Sequence, residues 1–221
     1  MKHLLILIIM FVSCVANICT AQTDTVKQKI FSHSIRGGFN ASTRWCNDKL
    51  VCRDIRWRHS FNVGITFDIR KSKKFLGRTG IYYTEKGFND KYGGFTQLNY
   101  LEMPVLAVFQ FPVGKIVKFE TQAGMFFAYG VGGRERMTIS DPIYDWDEDC
   151  VIYDNFKHIE IPTFKTSEWC SSTYKRFDVG LNVGFGVNVS RFYIGCSYDV
   201  TLGHQYRTSN HCGMIDLGYT F

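Results

Sequence analysis

Beyond its first 21 residues, the chain has no apolar stretch as long as the roughly 20 residues that a helix needs to cross a bilayer. This absence excludes a bundle of membrane helices, but it does not exclude membrane strands, which are only half apolar. No stretch rich in proline and serine divides the chain, so the sequence predicts one domain.

Motifs that carry catalytic chemistry are missing too. No Gly-x-Ser-x-Gly motif occurs, and no helix pattern follows Gly130–Gly133 or Gly184–Gly186, as a phosphate-binding loop would require. His204 and His211 lie beside Cys212 without a clear third metal ligand. No predicted strand places two carboxylates at a spacing defined for hydrolysis. We therefore predict that the protein is not an enzyme and has no cofactor or bound metal.

The charge is mild. The net charge of +6 falls to +5 once Lys2 leaves with the leader described below, and the basic residues are scattered. Such a chain is not expected to bind nucleic acid.

The first segment is typical of a secretory leader. A short basic start at Lys2 and His3 precedes an apolar core from Leu4 to Val12, and Cys19-Thr20-Ala21 has the small residues of a cleavage site. We predict a signal peptide at 1–21, a periplasmic segment at 22–30 and a single domain at 31–221.

Alternation with period two dominates that domain. From Phe177 to Val189, apolar side chains occupy every odd position, while glycine, asparagine and aspartate occupy the even ones. A run of about thirteen residues exceeds the ~5–6 that are usual in soluble strands and suffices to cross a bilayer at a tilt. Similar segments predict about eight strands. The fold class is all-β: an eight-stranded antiparallel up-and-down transmembrane β-barrel in the bacterial outer membrane.

The predicted connections alternate in length, as the short periplasmic turns and long outer loops of such barrels do. Short turns are expected at Lys71–Lys74, Pro112–Lys115 and Ser190–Arg191. Long loops are expected at Thr43–Trp57, Gly87–Asn99, Met137–Tyr174 and Gln205–His211. Both chain ends then lie in the periplasm. Pro104 falls inside a strand, where it cannot donate a ladder hydrogen bond, and we expect a bulge there.

The inner face of the predicted barrel carries charges of both signs. Opposite charges inside a narrow bore are expected to pair, because an unpaired buried charge is costly. This interpretation predicts a salt-bridged plug, and the alternative is a path for solute or protons. The predicted lumen residues are Arg36, Asp68, Arg70, Arg78, Glu102, Lys118, Glu120, Asp178, Asp199 and Asp216.

The outer loops suggest contacts with a partner. The first loop combines Trp45 and Trp57 with five basic residues, a composition suited to membrane lipids and to lipopolysaccharide phosphates. These basic residues are Arg44, Lys49, Arg53, Arg56 and Arg58. The third loop is rich in aromatics, which favour a packed cap or a contact surface. Its acidic run Asp145–Asp149 resembles the start of a calcium loop, but Cys150 and Phe156 occupy positions that require glycine and glutamate.

Six of the eight cysteines follow the leader. Cys46 and Cys52 share the first loop, and Cys150 and Cys170 share the third, so each pair closes a short loop. We predict 46–52 and 150–170 disulfides. Cys196 is expected to face lipid as a free thiol, and Cys212 to be unpaired or variable.

The final segment alternates from Ile215 to Phe221 and ends on an aromatic. Tyr219 and Phe221 are predicted to form an assembly signal that the barrel-assembly machinery reads.

Four segments resemble the PorT-like outer-membrane β-barrel family: Gly80–Phe88 (GIYYTEKGF), Tyr100–Leu106 (YLEMPVL), Gly124–Gly133 (GMFFAYGVGG) and Phe177–Gly186 (FDVGLNVGFG). The resemblance covers roughly Phe31 to Phe221 and implies an outer-membrane barrel. The member for which the family is named is tied to protein secretion across the outer membrane. A secretion partner is therefore an expectation that comes from the resemblance alone.

Together these observations predict a structural or interaction protein with a filled, charged lumen and surface loops that contact a partner or lipopolysaccharide. The alternatives are a narrow solute channel, an enzyme on the barrel rim and a secreted lipocalin-like binder.

Overall fold

A computed structural model describes residues 30–46, 55–91, 93–113, 116–145, 150–164, 174–202 and 208–221. The predicted signal peptide and nearly all of the predicted 22–30 segment lie outside these ranges. Within them, no helix is long and apolar enough to cross a membrane.

Nine strands make up the described chain. They are β1 (Phe31–Cys46), β2 (Ile55–Arg70), β3 (Phe75–Asp90), β4 (Phe95–Val113), β5 (Val117–Asp145), β6 (Cys150–Pro162), β7 (Phe177–Val189), β8 (Phe192–Thr201) and β9 (Thr208–Thr220).

Eight of these strands close a barrel. The sheet runs β4-β3-β2-β1-β9-β8-β7-β5, and an additional pairing of β4 with β5 joins its two edges. Every pairing is antiparallel, and sequence neighbours are spatial neighbours except where β6 intervenes. The predicted eight-stranded up-and-down barrel is confirmed.

Strand β6 was not predicted and does not belong to the barrel wall. Within the described residues, β6 pairs only with β5, from Arg134↔Pro162 to Asp145↔Cys150. The β4 partner of β5 ends at Phe95↔Arg136, so the β5–β6 hairpin continues beyond the barrel wall. The segment Met137–Tyr174, predicted as a loop, therefore contains a two-stranded ribbon.

The alternating pattern positions the two faces of the wall. Apolar side chains on the outer face remain exposed, for example 48% of Phe185 and 62% of Leu217, whereas the inner face is buried and mainly polar. A sheet that turns its apolar face outward all round has lipid as its only favourable surroundings. This excludes the lipocalin-like alternative, whose apolar face would line the interior.

The two ends of the barrel differ. The turns between β2 and β3, β4 and β5, and β7 and β8 lie at one end, here called the short-turn end, beside Ile30 and Phe221. The opposite end, called the long-loop end, carries the remaining connections. The connection between β3 and β4 is shorter than predicted. Strand β3 ends at Asp90 and β4 begins at Phe95, so only residues 91–94 separate them.

Pro104 also differs from expectation. The register of β3 with β4 is the same on both sides of it, with Thr79 opposite Val105 and Tyr82 opposite Glu102. Pro104 itself lies opposite Phe126 of β5, and the register shift between β4 and β5 occurs between Asn99 and Tyr100. The predicted bulge at Pro104 is therefore wrong, and the irregularity lies nearer the long-loop end.

Aromatic rings surround the short-turn end. Ring centroids lie 5.1 Å apart in Phe75–Phe109, 5.3 Å apart in Phe192–Tyr219 and 6.2 Å apart in Phe119–Phe185. Such a girdle is typical of barrels at a membrane interface. Phe221 joins it by stacking on His33 at 5.3 Å.

Gly124 shows how closely the wall is packed. A Cβ atom there would lie 2.2 Å from the Val105 carbonyl oxygen and 2.8 Å from the Leu106 Cα, both backbone atoms of β4. We expect Gly124→Ala to lower the free energy of unfolding by about 1–3 kcal/mol, because the β4–β5 ladder would have to shift. Urea titration of the refolded protein measures the change. Gly77→Ala is the matched control, since a Cβ atom at Gly77 meets nothing within 4 Å, and an equal loss in both variants would contradict the prediction.

Candidate functional site: the charged interior of the barrel

The first cluster of interior charges lies toward the short-turn end and centres on Arg78 of β3. Its Nε lies 2.8 Å from Asp68 Oδ1, and its Nη1 lies 2.6 Å from Glu120 Oε1. Further bonds from Nη2 reach Asp68 Oδ2 at 3.1 Å and Glu120 Oε2 at 3.2 Å. One guanidinium thus binds two carboxylates with the bidentate geometry that suits its planar fork. We call Arg78, Asp68, Glu120 and Arg36 the Arg78 cluster.

Glu120 receives several other donors. Gln110 Nε2 donates at 3.1 Å and Asn188 Nδ2 at 2.7 Å, while Arg36 Nη2 lies 3.6 Å from Oε1. The residue is only 1% exposed. Because a buried carboxylate needs counter-charge and donors, this set keeps Glu120 charged inside the wall.

Tyr193 fills the space beside these charges. The Arg36 guanidinium carbon lies 3.6 Å from the centroid of the Tyr193 ring, a cation–π contact. A Cβ atom at Gly186 or Gly195 would lie within 2.4 Å of a Tyr193 side-chain atom. The two inner-face glycines therefore make room for the ring.

The second cluster lies toward the long-loop end and centres on Lys86. Its Nζ lies 2.7 Å from Glu102 Oε2 and 2.8 Å from Asp199 Oδ2. Lys86 is only 3% exposed, and its ammonium also lies 4.2 Å from the centroid of the Phe126 ring. We call Lys86, Glu102 and Asp199 the Lys86 cluster.

Amide side chains connect the two clusters. Gln122 Oε1 accepts from Arg78 Nη1 at 3.0 Å, and Gln122 Nε2 donates to Asn182 Oδ1 at 3.1 Å. Asn182 Nδ2 then donates to Asp199 Oδ1 at 2.6 Å. The polar interior is therefore one continuous network.

An apolar layer closes the lumen above the Lys86 cluster. It consists of Leu98, Tyr100, Phe126, Ala128 and Phe164, with Tyr174 packed against it. Phe164 comes from the β6–β7 connection, and Thr163 anchors that connection by donating to the Gln97 carbonyl at 2.9 Å. The packed cap predicted as one alternative for the third loop thus includes Phe164.

Strand β3 also bends toward the interior. Asn40 Nδ2 donates to the Glu85 carbonyl at 3.1 Å, and Ser42 Oγ donates to the Gly87 carbonyl at 2.8 Å. These β1 side chains reach across β2, whose register with β3 shifts between Trp57 and Asn62. Backbone as well as side chains therefore occupies the lumen here.

Of the remaining predicted lumen charges, Arg70 and Asp178 lie toward opposite ends of the lumen, whereas Asp216 lies near its middle. Arg70 Nη2 donates to Gln110 at 2.9 Å, Asp216 accepts from Asn62 at 2.9 Å, and Asp178 accepts from Thr201 at 3.1 Å. Lys118 shares the face of Glu120 but is solvent-exposed, because it lies at the short-turn end of β5.

Lys86 is an interior charge that the sequence did not reveal. It lies an even number of residues from Arg78 on the same strand, so the phase of Arg78 would have placed it inside. The adjacent tyrosines Tyr82 and Tyr83 obscured that phase.

The basic residues predicted to face lipopolysaccharide divide into two sets. Arg58 Nη2 lies 2.9 Å from Glu85 Oε1, and Arg44 Nη1 donates to the Tyr174 hydroxyl at 3.2 Å, so both contribute to closing the lumen. Arg56 is exposed at the long-loop end, as are Trp45 and Trp57. Lys49 and Arg53 lie outside the described residues.

Glu160 of β6 binds two arginines of β5 at the base of the hairpin. Arg136 donates to it through Nε at 2.9 Å and through Nη2, and Arg134 Nη1 lies 3.8 Å away. The hydrogen bonds from Arg136 lower the pKa of the Glu160 carboxyl group from its usual value. This exposed cluster joins β5 to β6 at the base of the hairpin.

The cysteines are only partly described. Cys196 is a free thiol exposed on the outer face, as predicted, and Cys212 is free and buried. Cys52 and Cys170 lie outside the described residues, so the 46–52 and 150–170 disulfides stay predictions. The proposed assembly signal at Tyr219 and Phe221 also stays a prediction, although both rings lie in the girdle with centroids 5.3 Å apart.

Several solved structures are similar to the chain over most of its length. Among solved structures, the attachment invasion locus protein Ail of Yersinia pestis is 14% identical, with a TM-score of 0.43 over 86% of this chain and 98% of that chain. Neisserial surface protein A is 12% identical, with a TM-score of 0.44 over 85% and 95%. OprG from Pseudomonas aeruginosa is also 12% identical, with a TM-score of 0.39 over 88% and 97%. At such values the resemblance does not extend to function.

Sequence comparison is more decisive. No curated protein shows significant similarity to the chain. Residues 20–206, however, match the family described as "Outer membrane protein beta-barrel domain". Because this match covers most of the chain, the protein belongs to the outer membrane protein beta-barrel domain family and resides in the bacterial outer membrane.

Proposed function

We propose that the protein is a closed outer-membrane barrel with a structural or interaction role, and that it neither conducts solute nor catalyses a reaction. The observation that carries this proposal is the continuous network from Arg78 through Gln122 and Asn182 to Lys86. A hydrated pore requires mobile water along its whole length, whereas these side chains are buried, or half-buried in the case of Gln122, and are bonded to one another.

Three layers in series support closure. The Arg78 cluster and Tyr193 occupy the short-turn half, the Lys86 cluster lies toward the long-loop end, and the apolar layer around Phe164 lies above the Lys86 cluster. Opening a path would expose the buried charges of two clusters and displace the Phe164 ring. Such a rearrangement would have to break several charge-assisted hydrogen bonds.

The long-loop end supports the interaction role. Beyond Arg136, the β5 segment Met137–Asp145 extends about 30 Å if each residue rises the usual ~3.4 Å. Within the described chain this ribbon pairs only with itself, and an unpaired strand edge is a template for a partner strand. Trp45, Trp57 and Arg56 are exposed at the same end, a combination suited to the headgroup region and phosphates of lipopolysaccharide.

The proposal also assigns the protein to a branch of the family. The segments Gly80–Phe88 and Phe177–Gly186 resemble the PorT-like branch, and the resemblance favours a partner in protein secretion. Assembly would use the barrel-assembly machinery, with Tyr219 and Phe221 in the recognised strand. These parts rest on sequence likeness and not on the interior geometry.

Reconstitution in planar bilayers with lipopolysaccharide in one leaflet tests whether the barrel conducts, and we expect no ohmic steps from the parent protein. Thermal unfolding of the refolded protein in detergent micelles, with and without lipopolysaccharide, tests the interaction role. We expect lipopolysaccharide to raise the midpoint of unfolding. The Arg56→Gln variant should show no conductance, and lipopolysaccharide should raise its midpoint of unfolding less than it does for the parent. Lys118→Gln, which changes the opposite end of the barrel, should behave like the parent. A stable ohmic pore in the parent would favour the narrow channel. Equal stabilisation of all three proteins would remove the role of Arg56.

A further inference from the structure

A small cavity separates the Arg78 cluster from the Lys86 cluster in the middle of the barrel. Strands from around the whole wall contribute to its lining, which includes Arg36, Asn62, Thr84, Glu102 and Asp216. It is distinct from the ion pairs described above, because its lining residues Asn62 and Thr84 belong to neither charged cluster.

Three of these lining residues each carry a buried polar atom without a hydrogen-bond partner among the described residues: Arg36 Nε, Asn62 Oδ1 and Thr84 Oγ1. The parent side chains are 4%, 3% and 1% exposed, respectively. A buried polar atom left unbonded costs about 1–3 kcal/mol, so three around one cavity indicate a shared ligand. The set offers one donor, one acceptor and one hydroxyl that serves as either.

Charge and size decide what that ligand is. Arg36 and Arg78 face Glu102 and Asp216 across the cavity, so its formal charges balance and favour a neutral ligand. The space accommodates about two or three water molecules and no larger polar solute. Each water needs two to four polar partners, which this lining supplies.

We propose that the cavity is a structural water site, in which a small cluster of ordered waters bonds Arg36 Nε, Asn62 Oδ1 and Thr84 Oγ1. These waters form a second bridge between the two charged clusters, beside the direct bridge through Gln122 and Asn182. The inference does not depend on the proposed function, because an internal water site is compatible with either a closed or a conducting bore.

A crystal structure of the refolded parent protein at better than about 2 Å tests the site directly. We expect two or three ordered waters, one of them accepting from Arg36 Nε at about 2.7–3.2 Å. A dry cavity would overturn the proposal, as would a shifted Arg36 that donates through Nε directly to a carboxylate. Xenon pressurisation adds a second measurement, since xenon enters dry apolar cavities. Xenon bound between the two clusters would also contradict the proposal.

Matched threonine variants show whether the Thr84 hydroxyl binds one of the proposed waters. Thr84→Val should lose the water nearest to position 84 while the other waters remain. Thr66→Val is the control, because Thr66 is equally buried but its hydroxyl bonds Ser34 Oγ at 2.7 Å. All the waters should stay in place in Thr66→Val. An unchanged water cluster in Thr84→Val would remove that residue from the site. Should Thr84→Val fail to fold, the structure of the parent protein still decides.

Discussion

Replacing Arg78 with methionine is expected to lower the free energy of unfolding by about 3–5 kcal/mol, the usual cost of removing one member of a buried ion pair. Methionine keeps an unbranched side chain of similar length but lacks the guanidinium. Asp68 would lose the donors at 2.8 and 3.1 Å, and Glu120 would lose those at 2.6 and 3.2 Å. Glu120 would retain Gln110 and Asn188, so most of the loss should come from Asp68.

Urea titration in detergent micelles, followed by the mobility difference between boiled and unboiled samples, measures the loss. Lys118→Met is the matched control, because Lys118 carries the same charge on the inner face but is exposed at the short-turn end. Exposed substitutions usually change stability by no more than ~0.5 kcal/mol. A loss below about 1 kcal/mol for Arg78→Met would show that water reaches the cluster and that the interior is not closed.

The sequence predicts the transmembrane part of the wall well, because two different surroundings act on alternate residues there. In β7, odd positions face lipid and even positions face the lumen, so Phe177–Val189 alternates without interruption. Lumen charges such as Arg36 and Glu120 follow from the same pattern. What the pattern does not specify is which strand faces which across the bore, and so the partners of each charge required the structure.

Beyond the membrane the same reasoning loses its physical basis. Lipid no longer selects apolar side chains for the outer face there, so backbone hydrogen bonding continues although the apolar–polar alternation is lost. The ends of β3 and β4 around 91–94 and the β5–β6 ribbon were predicted as loops for this reason. Phe164 shows the same limit, since no local pattern indicates that a connection returns to seal the lumen.

Lys86→Met is expected to be more damaging than Arg78→Met. Lys86 is the cation bound to both Glu102 and Asp199, at 2.7 and 2.8 Å. Its removal leaves two buried carboxylates facing each other, whereas Glu120 retains Arg36 at 3.6 Å when Arg78 is lost. Each unpaired buried charge is costly, so we expect a loss at or above the upper end of ~3–5 kcal/mol.

Neutralising the carboxylates separates charge from packing. The triple variant Lys86→Met, Glu102→Gln and Asp199→Asn has no net charge in the cluster and similar side-chain volumes, so it should recover most of the stability that Lys86→Met loses. Replacing a buried ion pair with neutral groups is often close to neutral in free energy. The same urea titration gives both values. If the triple variant is no more stable than Lys86→Met, then the aliphatic chain of Lys86 and its contact with the Phe126 ring, rather than its charge, hold this level of the barrel together.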